Sequence, residues 1–106
     1  MTEISVTQLK ARLDAGNAPR IIDVRETWEY ENDHIEAENI PLSLVPVRIS
    51  ELEDMKDKEI IMACRSGGRS GQACQFLAQQ GFSKVMNLKG GMLAWKAEIN
   101  PDFYVQ

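Results

Sequence analysis

The sequence has little of what several function classes require. Among its 106 residues are one histidine and two cysteines. Cys64 and Cys74 have nine residues between them and His34 is remote from both, so no zinc-ligand spacing is present and no metal is expected. Two cysteines allow at most one disulfide, and reduced thiols are the expectation for a chain without secretory features. Positive charge is also scarce. Twelve Lys and Arg against sixteen Asp and Glu give a formal charge of −4, which offers no broad positive field to a phosphate backbone. Nucleic acid is therefore not an expected partner. No apolar run approaches membrane-spanning length, which argues against a membrane partner. The start Met1-Thr2-Glu3 lacks the basic lead and apolar stretch of a secretory signal, and the expected location is the cytoplasm. With four prolines, 43% hydrophobic and 26% charged residues, the composition is that of an ordinary globular protein. The length predicts one domain over 1–106, with its core at about 4–98 and a tail at 99–106.

What is present reads as alternating strands and helices. Ser5 and Gln8 have capping-box spacing, with Ile4 and Leu9 placed as a hydrophobic staple. A helix over about Thr7 to Ala15 follows, ended by Gly16. Ile21-Ile22-Asp23-Val24 is a short apolar run, as in a strand covered on both faces. Glu26 to Asp33 suits a short helix, Asn39 to Leu42 a brief strand, and Val45 to Leu52 a further short helix. Glu59 to Ala63 is a second buried strand running straight into Cys64. A helix is predicted from Ser70 to Gln80 with Gly81 as its stop, then a strand over Val85 to Leu88. Gly90-Gly91 breaks that strand, and a last short helix begins at Met92. The fold class is α/β, an open parallel sheet covered on both faces.

In such a sheet ligands bind beyond the carboxyl ends of the strands. Of the three segments there, Arg25-Glu26, Cys64 to Ser70 and Gly90-Gly91, the middle one has the strongest chemical content. Backbone N–H groups from Arg65 to Ser70 can converge as an anion nest, reinforced by a helix amino terminus, over the Cys64 sulfur. The same field favours thiolate over thiol. Gly67 and Gly68 supply backbone angles that other residues reach only with strain, and Arg65 and Arg69 add charge-assisted donors. The competing reading is a buried core cysteine flanked by solvated arginines.

Several motifs in order resemble the rhodanese family over nearly the full length. Ile21 to Glu26 with Trp28-Glu29-Tyr30 is similar to the family's early strand-and-helix signature, and His34-Ile35 with Asn39-Ile40-Pro41 to its next one. Cys64 to Ser70 resembles the active-site loop; Gly81-Phe82, Val85 to Leu88 and Gly90 to Trp95 resemble the closing elements. Asp33 to Asn39 departs from the pattern, being shorter than the usual segment and without its glycines. The resemblance implies a five-stranded parallel sheet flanked by helices. It also implies a sulfurtransferase in which Cys64 is the catalytic nucleophile and accepts a sulfane sulfur as a persulfide. Arg65, Ser66, Gly67, Gly68, Arg69 and Ser70 would bind a small anionic donor such as thiosulfate. The acceptor would be cyanide, a thiol or a protein, and no cofactor is implied.

A phosphatase or arsenate reductase on the same scaffold is one rival. It generally needs an acid for its leaving group, and the loop has none between Cys64 and Arg69. Family members acting on phosphate-like oxyanions have one more residue between cysteine and arginine than the four found here. A non-catalytic module and a persulfide carrier serving a protein acceptor are the other rivals. Elsewhere, Cys74 is expected to pack in its helix, His34 to make a structural hydrogen bond, and Asp23 to find hydrogen-bond partners. Arg25 is expected to pair with a carboxylate, and Trp28, Tyr30 and Trp95 to pack in the core or at the rim.

Overall fold

The computed structural model describes residues 2–106. Five parallel strands form one sheet: β1 (Glu3–Ile4), β2 (Arg20–Asp23), β3 (Glu38–Asn39), β4 (Ile60–Ala63) and β5 (Val85–Leu88), in the spatial order β1-β5-β4-β2-β3. Four helices connect or follow them: α1 (Val6–Asp14), α2 (Thr27–Asn32), α3 (Gly68–Gln79) and α4 (Gly91–Glu98). β1 is absent from the sequence expectations. At two residues it shows no periodicity of its own, and its pairing with Asn87 and Leu88 creates it.

Local chemistry accounts for the rest. The Ser5 hydroxyl accepts from the Gln8 amide while the Gln8 side chain accepts from Ser5 N–H, closing the capping box that starts α1. Gly16 and Gly81, at φ +72° and +94°, stand just past the ends of α1 and α3 as read from the sequence. The helix expected over Val45 to Leu52 is not formed. Two 3₁₀ segments, Leu42–Leu44 and Ile49–Met55, stand in that region. Pro46 supplies no amide donor, and only Val45 and Leu52 are buried there, too few to hold a full helix against the sheet.

β4 is central, so both its faces are covered, and the pleat decides what each side chain meets. Ile61 and Ala63 join Leu9, Met92 and Trp95 under α1 and α4. Ile60, Met62 and Cys64 join Ala73, Cys74 and Leu77 of α3 on the other face. Alternation alone therefore points the Cys64 thiol toward α3. Among the described residues, no helix is long and apolar enough to cross a membrane.

Candidate active site

Cys64 follows β4 directly and is 1% exposed. The chain then turns through Arg65, Ser66 and Gly67 into α3, and the sulfur lies beneath that turn. Gly67 N–H donates to Cys64 Sγ at 3.0 Å, and the buried Ser70 hydroxyl lies 3.2 Å from the same atom. Burial opposes ionisation of the thiol. The Ser70 hydroxyl and the amides of Ser70, Gly67 and Ser66 outweigh it and hold the pKa below the ordinary thiol value. The nest therefore converges on the sulfur through backbone groups.

The two loop glycines differ. Gly67, at φ +106°, is the N-cap of α3 and occupies a conformation that favours glycine. Gly68 is the first helical residue, is not among the positive-φ glycines, and has open space where a Cβ would go. The expectation that both supply strained angles is corrected at Gly68, because the left-handed turn is complete one residue earlier.

The arginines have partners within the chain. Arg69 donates to both carboxylate oxygens of Glu29 on α2, at 2.6 and 3.0 Å. Arg65 is exposed and donates through Nε to the Gln106 carbonyl. Arg69 is therefore not the free, solvated cation of the competing reading, whereas Arg65 remains exposed with one backbone carbonyl as its partner. Neither lowers the thiol's pKa to the extent the amides and Ser70 do. Hydrogen bonding to Arg69 overcomes burial and lowers the Glu29 pKa, assisted by the Glu26 amide. The negative end of this pair stabilises Arg69 in place at the start of α3.

The carboxyl end of β2 forms a buried support. Asp23 is fully buried and Arg25 is 2% exposed. Arg25 Nε and Nη2 donate to Asp23 at 2.7–3.0 Å, and Nη2 also donates to the Asp33 carbonyl at 2.9 Å. These two buried charges are thus paired, as the sequence led us to expect of both residues. His34 Nδ1 lies 2.7 Å from the Ile35 carbonyl and its ring stacks on Tyr30 at 4.0 Å. Tyr30 donates through its hydroxyl to the Ala37 carbonyl. These contacts hold the Asp33 to Asn39 stretch in place. Cys74 is buried within α3, and burial pushes its thiol up to about 12. Trp95 is in the core, whereas Trp28 is 54% exposed. The short helix α2 turns its Glu29 side inward, and the neighbouring position faces out.

Gly91 was expected at a strand end beside the site without its role there, and Asn87 escaped the sequence reading. Gly91, at φ +58°, is more than a strand breaker: a Cβ there would lie 2.3 Å from the Cys64 carbonyl oxygen. This close approach lets Met92 N–H donate to the Cys64 carbonyl at 2.9 Å and Leu93 N–H to that of Arg65 at 3.0 Å. The start of α4 therefore clamps the backbone of Cys64 itself. Asn87 of β5 donates to the Gly67 carbonyl at 3.0 Å and lies 2.5 Å from the Ser70 hydroxyl. A polar residue inside the apolar run Val85 to Leu88 was the available signal.

This arrangement has counterparts. The sequence matches the family described as Rhodanese-like domain over residues 5–98. A protein named "Sulfurtransferase" from Allochromatium vinosum is 40% identical over 96 residues, covering 90% of this chain and 88% of that one. The "Putative sulfur carrier protein YrkF" of Bacillus subtilis is 42% identical over 94 residues, which are 88% of this chain and 50% of that protein. The crystal structure of a rhodanese-related protein from Thermoplasma volcanium superposes with a TM-score of 0.82 at 29% identity, with both chains covered completely. The five-stranded parallel sheet, the match across most of the sequence and these relatives agree: the chain belongs to the rhodanese family of sulfurtransferases and sulfur carriers.

Proposed function

We propose that this protein moves a sulfane sulfur from a small anionic donor to a nucleophilic acceptor through a persulfide on Cys64. The observation that carries the reading is the sulfur's setting: a buried Sγ under the start of α3, hydrogen-bonded by Gly67 N–H and touched by the Ser70 hydroxyl. Groups that favour a thiolate there also suit an anionic sulfur bonded to it. With thiosulfate as donor, the Cys64 thiolate attacks the outer sulfur, and its electron pair forms the new S–S bond. The bond between the two donor sulfurs breaks, its electron pair leaves with sulfite, and the negative charge rests on the outer sulfur of the persulfide. Cyanide or a thiolate then attacks that sulfur, and Cys64 recovers its electron pair as thiolate. No proton has to be delivered to a leaving group, in keeping with a loop without an acid.

Arg65, Ser66, Gly67, Gly68, Arg69 and Ser70 surround the donor in this reading. Arg69 acts as a positive charge fixed by Glu29, and the amides supply the direct contacts. A protein acceptor is the alternative to cyanide or a small thiol, supported by the relative named as a sulfur carrier protein. The reduced state of both cysteines suits a cytoplasmic setting, and the working domain includes the segment expected to be a tail, because Phe103 is buried in the core and the Gln106 carbonyl accepts from Arg65.

The test is a mass measurement. After incubation with thiosulfate and removal of excess, the parent and Cys74→Ser gain one sulfur atom and Cys64→Ser gains none. Absence of any sulfur adduct, together with hydrolysis of an aryl phosphate, would replace this reading with a phosphatase.

A further inference from the structure

Asn87 sits in β5, is 5% exposed and touches the active-site loop twice. Its Nδ2 donates to the Gly67 carbonyl at 3.0 Å. A carbonyl only accepts, so this contact fixes which end of the amide faces Gly67, and Oδ1 is left facing Ser70. At 2.5 Å from the Ser70 oxygen, Oδ1 has to receive the Ser70 proton. The same hydroxyl lies 3.2 Å from Cys64 Sγ, and a hydroxyl has one proton.

The two demands agree while Cys64 is a thiol. Its S–H donates to the Ser70 oxygen, and the Ser70 O–H donates to Asn87. They conflict when charge sits on Sγ, because the sulfur then needs the proton that Asn87 holds, and a buried Oδ1 without a donor is costly.

We propose that Asn87 is a positioning residue that competes with Cys64 for the single Ser70 proton and so opposes charge on Sγ. The consequence for sulfur transfer rests on the reading of Cys64 given above, but the competition exists in the protein without sulfur and is tested there. The other groups acting on this thiol are Arg69 of α3, paired with Glu29 of α2, and Cys74 of α3. Asn87 contributes a dipole from β5 and no charge.

The experiment follows Cys64 alkylation by iodoacetamide against pH, with no sulfur donor present, in the parent, Asn87→Leu, Ser70→Ala and the double variant. Asn87→Leu removes the competitor while keeping the same branching and number of side-chain heavy atoms, and also frees the Gly67 carbonyl. The second effect persists in the Ser70→Ala background, so the difference between backgrounds isolates the competition. With Ser70 present, Asn87→Leu speeds alkylation at about pH 6 by about tenfold more than it does in Ser70→Ala. The same cycle with the smaller Asn87→Ala carries the test if the leucine variant does not fold. An equal effect in both backgrounds, or a greater gain without Ser70, overturns the proposal. The expected difference in a protein that takes up no sulfur from thiosulfate would uphold this competition while removing the functional reading.

Discussion

Replacing Gly91 with alanine puts a methyl group where the backbone of Cys64 and Arg65 already stands. The added Cβ would lie 2.3 Å from the Cys64 oxygen and 2.7 Å from the Arg65 oxygen. Both are main-chain atoms, so no flexible side chain can give way. At φ +58° the alanine also carries the left-handed penalty, about 1–2 kcal/mol. Relief of the clash requires α4 to move off the loop. That breaks the bonds from Met92 N–H to Cys64 and from Leu93 N–H to Arg65, each contributing about 1 kcal/mol. The expected loss is about 3–4 kcal/mol, a large fraction of the stability of a domain this size. Gly68→Ala is the matched control. Its position is helical and its Cβ meets open space, so the same chemical change gains about 0.5–1 kcal/mol. Urea unfolding at constant m-value measures both. Opposite signs are the expected outcome, and a Gly91→Ala variant within about 1 kcal/mol of the parent would refute the clamp.

Glu29→Gln tests the brace on Arg69. Hydrogen bonding to Arg69 lowers the Glu29 pKa below its ordinary 4.5, so the carboxylate's contribution is present above that value and lost as pH falls through the lower folded value. The variant should be about 1 kcal/mol less stable at neutral pH, and its stability should fall less steeply below about pH 4.5, the two profiles converging in acid. Parallel acid profiles would exclude the brace. The two thiols should also separate chemically: with Cys64 held below its ordinary pKa and Cys74 pushed up to about 12, native protein at about pH 8 should take one iodoacetamide, on Cys64. Peptide mass spectrometry locates it, and both cysteines should react once urea unfolds the chain.

Much of the frame was legible because it rests on local chemistry. The runs at Ile21, Ile60 and Val85 identified three strands, and Ser5 with Gln8 identified the start of α1. What was not legible depends on pairing between distant segments. β1 exists through β5, and the need for glycine at 91 arises because α4 starts against Cys64. Asp23 and Asn87 show the difference most directly. Both are polar residues in apolar strands, and burial obliges each to find partners. For Asp23 the main partner, Arg25, is two residues away and could be named from the sequence. For Asn87 the partners follow only from register. β5 aligns Asn87 with Met62, and residues paired across parallel strands share a face of the sheet. Met62 and Cys64 lie on the α3 face, so Asn87 does too, beside the turn that brings Gly67 and Ser70 over the sulfur. A slip of one residue in that register would turn Asn87 toward α1 and α4 and leave the Gly67 carbonyl and the Ser70 hydroxyl without it. The loop motif supplies the thiol and its amides, and the alignment of β5 on β4 determines whether they are held in place.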